Sequence, residues 1–129
     1  MINIKQIHHV AILTDDYELS KHFYTEILGF TIMAETYREA RQSYKLDLAI
    51  NGTYQIELFS FPEYRPRASF PEAKGLRHLA FAVADVEASA LYLKNKGVDV
   101  QEVRVDELTG KKFIFFNDPN GQPLELYEV

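Results

Sequence analysis

One short pattern occurs twice in this chain, and each copy pairs a histidine strand with a glutamate strand: IHHVAI with QIELF, then LRHLAF with PLELY. An offset of 69 relates His9 to His78, Asp16 to Asp85 and Phe23 to Tyr92, and an offset of 68 relates Glu57 to Glu125. A single deleted residue therefore aligns the two halves. A repeat of this length is one supersecondary unit used twice, because one copy alone cannot cover its own apolar face.

Periodicity gives the unit its elements. Residues 6–13 alternate and are rich in Val, Ile and Leu, which predicts a strand. Asp15 or Asp16 is placed to cap a helix that carries Leu19, Phe23 and Ile27 on one face, with Gly29 ending it. Residues 30–40, 43–50 and 54–60 read as three further strands, and Asn51-Gly52 supplies a tight hairpin turn between the last two. The second copy repeats this βαβββ order: a strand at 77–83, a helix from about Val86 to Lys96 closed by Gly97, strands at 98–105 and 112–117, an Asp118-Pro119-Asn120-Gly121 turn, and a strand at 122–128. The expected organisation is a first module at about 5–61, a linker at about 62–75 and a second module at about 76–129. The connector FPEYRPRASFPEAKG holds three of the five prolines and reads as a surface loop. The fold class is α+β.

Composition removes several function classes. The 129 residues are 47% hydrophobic, which suits one ordinary globular domain. Apolar runs such as LAFAV are strand-sized, far below the ~20 residues of a bilayer span, and the N-terminus lacks a cleavable apolar stretch, so the expected location is the cytoplasm. There is no cysteine, which excludes disulfides, thiolate zinc sites and a cysteine nucleophile; any metal must sit on imidazole and oxygen. A net charge of −5 without a basic run argues against nucleic acid.

The chemistry lies in the repeated polar positions. Glu57 sits between Ile56 and Leu58, and Glu125 between Leu124 and Leu126. A carboxylate in that setting stands either on the open face of an amphipathic strand or in a cleft. Taken singly, a strand glutamate is ordinarily a solvated residue and a strand histidine a structural one. His8, expected on the opposite face from His9, and His22, on a helix without a repeat partner, are assigned that ordinary role. The symmetry sets the other four apart, because chance does not readily place His and Glu at equivalent positions of both copies. Two imidazoles and two carboxylates, His9, Glu57, His78 and Glu125, suit an octahedral divalent ion with two open water positions.

HHVAI followed by HFYTEILGF, then GLRHLAFAV, then FFNDPNGQPLELYE, resembles the glyoxalase I or vicinal-oxygen-chelate superfamily along nearly the whole chain, in particular its small bacterial glyoxalase-like subgroup. The resemblance implies two tandem βαβββ modules forming an open, curved mixed sheet around a metal cleft. It assigns His9, Glu57, His78 and Glu125 as metal ligands; all four match, unlike extradiol dioxygenases, which lack a ligand at the second position. It implies one divalent ion per site, with nickel, cobalt, zinc or manganese as candidates, a small-molecule substrate and a homodimer. The shared chemistry is bidentate chelation of vicinal oxygens, which stabilises charge developing on an enediolate or a related intermediate. A lactoylglutathione-lyase-like isomerisation then needs a carboxylate base, for which Glu125 is the first candidate and Glu57 the second.

The same resemblance separates chemistry from specificity. Glutathione-dependent bacterial members carry an Arg four residues after the first ligand His and an Asn four after its Glu; here those positions are Leu13 and Phe61. Arg38, Arg41, Lys45, Arg104, Lys111 and Lys112 are the candidate replacement cations, and Tyr37, Tyr44, Phe113 and Phe115 the candidate aromatic lining. Alternative readings are an epimerase or dioxygenase on the same scaffold, or a non-catalytic binder of a small molecule, as in bleomycin-resistance relatives.

Overall fold

A computed structural model describes residues 1–129. The chain divides into two compact units, Met1–Arg65 and Pro66–Val129, with the division inside the proline-rich connector. Each unit builds its own four-stranded mixed sheet with one helical segment.

In the first unit the order along the chain is β1 (Val10–Thr14), α1 (Tyr17–His22) continuing into a π-helical turn (Phe23–Ile27), β2 (Thr31–Arg38), β3 (Ser43–Ile50) and β4 (Thr53–Ser60). The sheet runs β1-β4-β3-β2, with β1 parallel to β4 and the other pairs antiparallel. The parallel pair is possible because the helix and two strands intervene between its members. Asp16 caps α1 by accepting the Leu19 N–H at 3.1 Å. The π turn places the sequence neighbours Phe23 and Tyr24 both in the interior. They join Tyr17 and the alternate sheet residues Ile12, Leu46, Leu48, Ile56 and Leu58 in the buried core. Truncating one of those leucines to alanine would cost about 2–5 kcal/mol.

The second unit repeats the plan: β5 (Leu79–Val83), α2 (Val86–Asn95), β6 (Arg104–Val105), β7 (Lys112–Asn117) and β8 (Pro123–Glu128), in sheet order β5-β8-β7-β6 with β5 parallel to β8. Asp85, equivalent to Asp16, caps α2 through the Ala88 N–H at 2.9 Å. Val86, Ala90 and Leu93 of the helix and Ile114, Phe116, Leu124 and Leu126 of the sheet form the buried set.

Three predicted boundaries shift. The first strand begins at Val10 rather than near residue 6, so His9 lies just before the ladder, and the fifth begins at Leu79, which leaves His78 in the same place. The strand predicted at 98–105 survives only as a bridge from Val100 to Phe116 and the two-residue β6.

The two inner hairpins reach their register differently. Between β3 and β4, Asn51 and Gly52 both take positive φ, +49° and +79°, as a tight turn demands. A bulge then shifts the ladder between Leu48 and Ala49, so that Asp47 pairs with Glu57. Between β7 and β8 a longer turn is tied by Asp118, whose carboxylate accepts the Asn120 and Gln122 N–H groups at 2.8 and 2.9 Å. There Phe115 pairs with Glu125 without a shift. No helix is long and apolar enough to cross a membrane.

Candidate metal-binding half-sites

Strand alternation decides which side chains share a face. With Ile56 and Leu58 turned to the helix side, Glu57 is on the open side of its sheet; with Leu124 and Leu126 buried, Glu125 is on the open side of the other. In the parallel pairings Glu57 stands beside Ala11 and Glu125 beside Ala80. The small alanines leave room for the histidines two residues earlier to reach across. His9 Nε2 lies 3.3 Å from Glu57 Oε2, and His78 Nε2 lies 3.2 Å from Glu125 Oε2. Both carboxylates are buried although they lie on the open face, at 7% and 9% exposure, while the imidazoles stay part-exposed.

Each unit thus brings one imidazole and one carboxylate together. Within either unit the set stops at two: no group of three or more metal-binding side chains forms. The donor chemistry of each pair nevertheless fits a divalent cation. A buried carboxylate is costly without compensating charge, and a neighbouring imidazole nitrogen supplies the second donor that zinc, nickel, cobalt or manganese accepts.

The halves differ around those pairs. In the first, Asp47 is directly across the ladder from Glu57. Lys45 Nζ approaches Asp47 at 2.8 Å and Glu57 at 3.8 Å. Tyr54 donates its hydroxyl hydrogen to Glu57 and also reaches Asp47 at 3.2 Å. The Asp47 hydrogen bond raises the Lys45 pKa above its ordinary value despite partial burial, and Glu57 and Asp47 add to the rise. Desolvation and the Glu57 hydrogen bond push the Tyr54 phenol well above the usual range, so it remains a donor at neutral pH. In the second half the equivalents of Lys45 and Asp47 are Phe113 and Phe115, and the His78 ring stands edge-on to Phe115 with centroids 5.0 Å apart.

Of the other predicted contributors, Arg38 lies over Phe59 and Phe61 at 4.8 and 5.6 Å, and donates to Ser43 Oγ at 2.8 Å. Arg104 lies over Phe113 and Phe115 at 5.0 and 5.5 Å. Lys112 pairs with Glu87 at 3.4 Å. Arg41 and Lys111 are exposed. Leu13 is exposed, and Phe61 stacks on Phe59.

Two expectations are corrected. Tyr37 and Tyr44 do not line the open face: they pack with Tyr17 on the helix side, Tyr44 stacked on Tyr17 at 4.6 Å, because their register matches Leu46 rather than Lys45. His8 does not diverge from His9: the two Nδ1 atoms lie 2.8 Å apart and both rings contact Tyr54, since neither residue is yet held in the ladder. Asp47 and Tyr54 were not singled out by the sequence: Tyr54 stands three positions before Glu57, whereas Asp47 is ten residues away and meets Glu57 only through the strand register.

Comparison with known proteins identifies the family. The family profile of the Glyoxalase/Bleomycin resistance protein/Dioxygenase superfamily matches residues 6–126. The chain is 58% identical over 128 residues to the uncharacterised protein YaeR of Escherichia coli (strain K12), covering 99% of each. A glyoxalase family protein from Enterococcus faecalis of known crystal structure superposes with a TM-score of 0.90 at 44% identity, over 98% of this chain and 100% of that one. More distant relatives carry different chemistries. A 2-epi-5-epi-valiolone epimerase from an Actinomyces species is 30% identical over 95% of this chain and 79% of its own. A metallothiol transferase FosB from Staphylococcus saprophyticus is 31% identical over 96% of this chain and 77% of its own. The profile match over residues 6–126 places the chain in the Glyoxalase/Bleomycin resistance protein/Dioxygenase superfamily.

Proposed function

We propose that this protein is a metal-dependent lyase or isomerase of the glyoxalase type, acting by proton transfer on a small vicinal-dioxygen substrate such as a hemithioacetal. The observation that carries the reading is the pair of equivalent histidine–carboxylate contacts, 3.3 and 3.2 Å, each with a buried glutamate on an open sheet face. His9, Glu57, His78 and Glu125 would hold one divalent ion, nickel, cobalt, zinc or manganese. When bound, that ion supplies Lewis-acid stabilisation of negative charge on substrate oxygens.

The surroundings divide the work between the carboxylates. Glu57 receives the Tyr54 hydroxyl hydrogen and has Lys45 nearby, so its charge is held in place. Glu125 faces the apolar Phe115 ring. With Glu57 engaged by Tyr54 and Lys45, Glu125 takes the proton from the substrate carbon and returns it to the neighbouring carbon, with Glu57 second in line. The chain acts as a cytoplasmic homodimer.

The second reading is an epimerase, favoured by the 30% identical relative of that name. Elemental analysis of the purified protein, coupled to a hemithioacetal panel in which the thiol varies, tests the main reading. Metal-dependent turnover of a panel member is expected; a protein that holds no divalent ion after reconstitution, or turns over none of the panel, would overturn it. An epimerase would instead exchange a substrate proton with solvent.

A further inference from the structure

Arg67 belongs to the proline-rich connector, yet its guanidinium reaches both strands that carry the second half-site. Nη2 donates one hydrogen to each of the Leu76 and Arg77 carbonyl oxygens, both at 2.9 Å, and Nη1 donates to Gln122 Oε1 at 3.1 Å. The first two acceptors lie two and one residues before His78, and the third lies three before Glu125. Because β5 and β8 run parallel from the Leu79–Leu124 rung, a single side chain bridges the starts of both strands.

The two ends of that bridge are not equally secure without it. Gln122 is fixed on its own turn: its N–H donates to the Asp118 carboxylate at 2.9 Å, its carbonyl accepts the Asp118 N–H at 3.0 Å, and its Nε2 donates to the Pro123 carbonyl at 3.1 Å, which leaves Oε1 for Arg67. The segment before His78 precedes the first rung of the ladder, and the side chains of Leu76 and Arg77 are exposed. The Glu72–Arg77 ion pair, 3.6 Å apart on an exposed side chain, is a weak tie. Ladder and core therefore leave that backbone to Arg67, whose planar fork fixes direction as well as distance. The His78 ring then rests edge-on to Phe115 and meets Glu125 at 3.2 Å. The first unit holds its histidine by other means: Tyr54, which the offset of 68 pairs with Gln122, packs against the rings of His8 and His9.

From this geometry we infer that Arg67 is a positioning residue for the second half-site: by tying the entry of β5 to the entry of β8 it sets His78 against Glu125, and with that the affinity of the pair for a divalent ion. A guanidinium has no lone pair to offer a metal, so Arg67 acts only through the strands it holds. The placing of His78 stands on the hydrogen bonds alone, whereas its consequence for the ion rests on the function proposed above.

The test is a double-mutant cycle on cobalt affinity, read by competition with a chromophoric chelator. Arg67→Ala should weaken binding by about tenfold, the lower end of what losing a group that orients a ligand costs. In a His78→Ala background the same substitution should change affinity by less than about twofold, because the ligand it places is gone, whereas in a His9→Ala background a loss of about tenfold should persist. Arg67→Lys keeps the charge and serves as the variant safest for folding; it should show the same pattern at smaller size, since one ammonium does not reproduce the planar fork. Equal losses in the two histidine backgrounds would mean a general loosening of the unit and would overturn the inference, as would unchanged affinity in Arg67→Ala. A second arm needs no metal. In metal-free protein the imidazole proton–carbon NMR signals of His78, assigned by their absence from His78→Gln, should shift in Arg67→Ala while those of His9 stay in place, with Arg67→Lys intermediate; unmoved His78 signals overturn the inference. If wild type binds no cobalt, the metal reading fails, and the second arm alone decides whether Arg67 places His78.

Discussion

Asp47 lies directly across the antiparallel ladder from Glu57, which puts two carboxylates on adjacent strands of one face. Like charges directly opposed are destabilising, and Lys45, 2.8 Å from Asp47 and 3.8 Å from Glu57, offsets them. In metal-free protein Lys45→Met should lower stability by about 1 kcal/mol, the part-exposed setting holding the effect at that size. Lys45→Met/Asp47→Asn should recover most of the loss. Thermal or urea unfolding of the three proteins measures this; a double variant no more stable than Lys45→Met would contradict the account.

Glu35 gives a pH-dependent contribution. The Lys21 ammonium at 2.8 Å, and then the Tyr17 hydroxyl at 2.6 Å, hold its carboxyl below the usual carboxylate range. A depressed folded-state pKa stabilises above the unfolded value, near 4.3, and that stabilisation is lost as pH falls through the folded value. Glu35→Gln should therefore cost up to about 1 kcal/mol at pH 7, reduced by solvent screening, with the gap to wild type closing toward pH 3. Unfolding free energies at several pH values test it, and a gap that widens in acid would reverse the sign.

Metal stoichiometry distinguishes the half-sites from accidental pairings. Reconstituted protein should carry about one divalent ion per chain, and His9→Ala, His78→Ala and Glu125→Gln should each weaken binding at least tenfold, as loss of a ligand to a borderline cation does. Elemental analysis after desalting is the measurement. Unchanged metal content in His9→Ala and His78→Ala together would remove the proposed ligand set.

Assembly can be read from complementation. Sedimentation should give a dimer, and mixing inactive His9→Ala with inactive Glu125→Gln chains reports how the ligands are shared. If a site takes His9 and Glu57 from one chain and His78 and Glu125 from its partner, a mixed dimer regains one intact site. Sites built within a chain regain none. A monomer at micromolar concentration would defeat the assembly itself.

Leu13 is exposed and Phe61 is stacked under Arg38, so neither supplies the polar contacts expected of a glutathione site. Each lost charged contact is worth about 1.5–3 kcal/mol, so the glutathione–methylglyoxal hemithioacetal should be a poor substrate by a few hundredfold or more. Lactoylglutathione formation with kcat/KM of about 10⁴ M⁻¹s⁻¹ or above would restore glutathione specificity.

Much of the scaffold was legible because local signals and the repeat agreed. Asp15 or Asp16 marked the first helix start, the 69-residue offset carried it to the second, and Asn51-Gly52 marked a turn, while the strand setting of Glu57 and Glu125 left an open face or a cleft as their place. The polar surroundings of Glu57 were not. A two-residue turn at Asn51-Gly52 pairs Ala49 with Tyr54, and extending that count would set Asp47 opposite Ile56; the bulge moves it to Glu57. A bulge is decided by packing over the whole sheet and leaves little trace in a single sequence. Tyr37 and Tyr44 failed for a related reason, since β-propensity says an aromatic belongs on a strand and not on which face. The two arginine stacks depend on cross-strand neighbours that spacing alone does not reveal.

The two inner hairpins carry a lesson about what a duplicated unit must keep. One closes with a tight Asn-Gly turn followed by a bulge, the other with a longer loop tied by Asp118 and no bulge, yet Asp47 to Glu57 and Phe115 to Glu125 span the same number of residues. Contour length between rungs is the inherited quantity; the corner is interchangeable. Grafting the Asp118 corner onto the first hairpin is accordingly a substitution that the ladder can absorb, whereas inserting or removing one residue in either hairpin would rotate a carboxylate from the ligand side to the hydrocarbon side of its sheet.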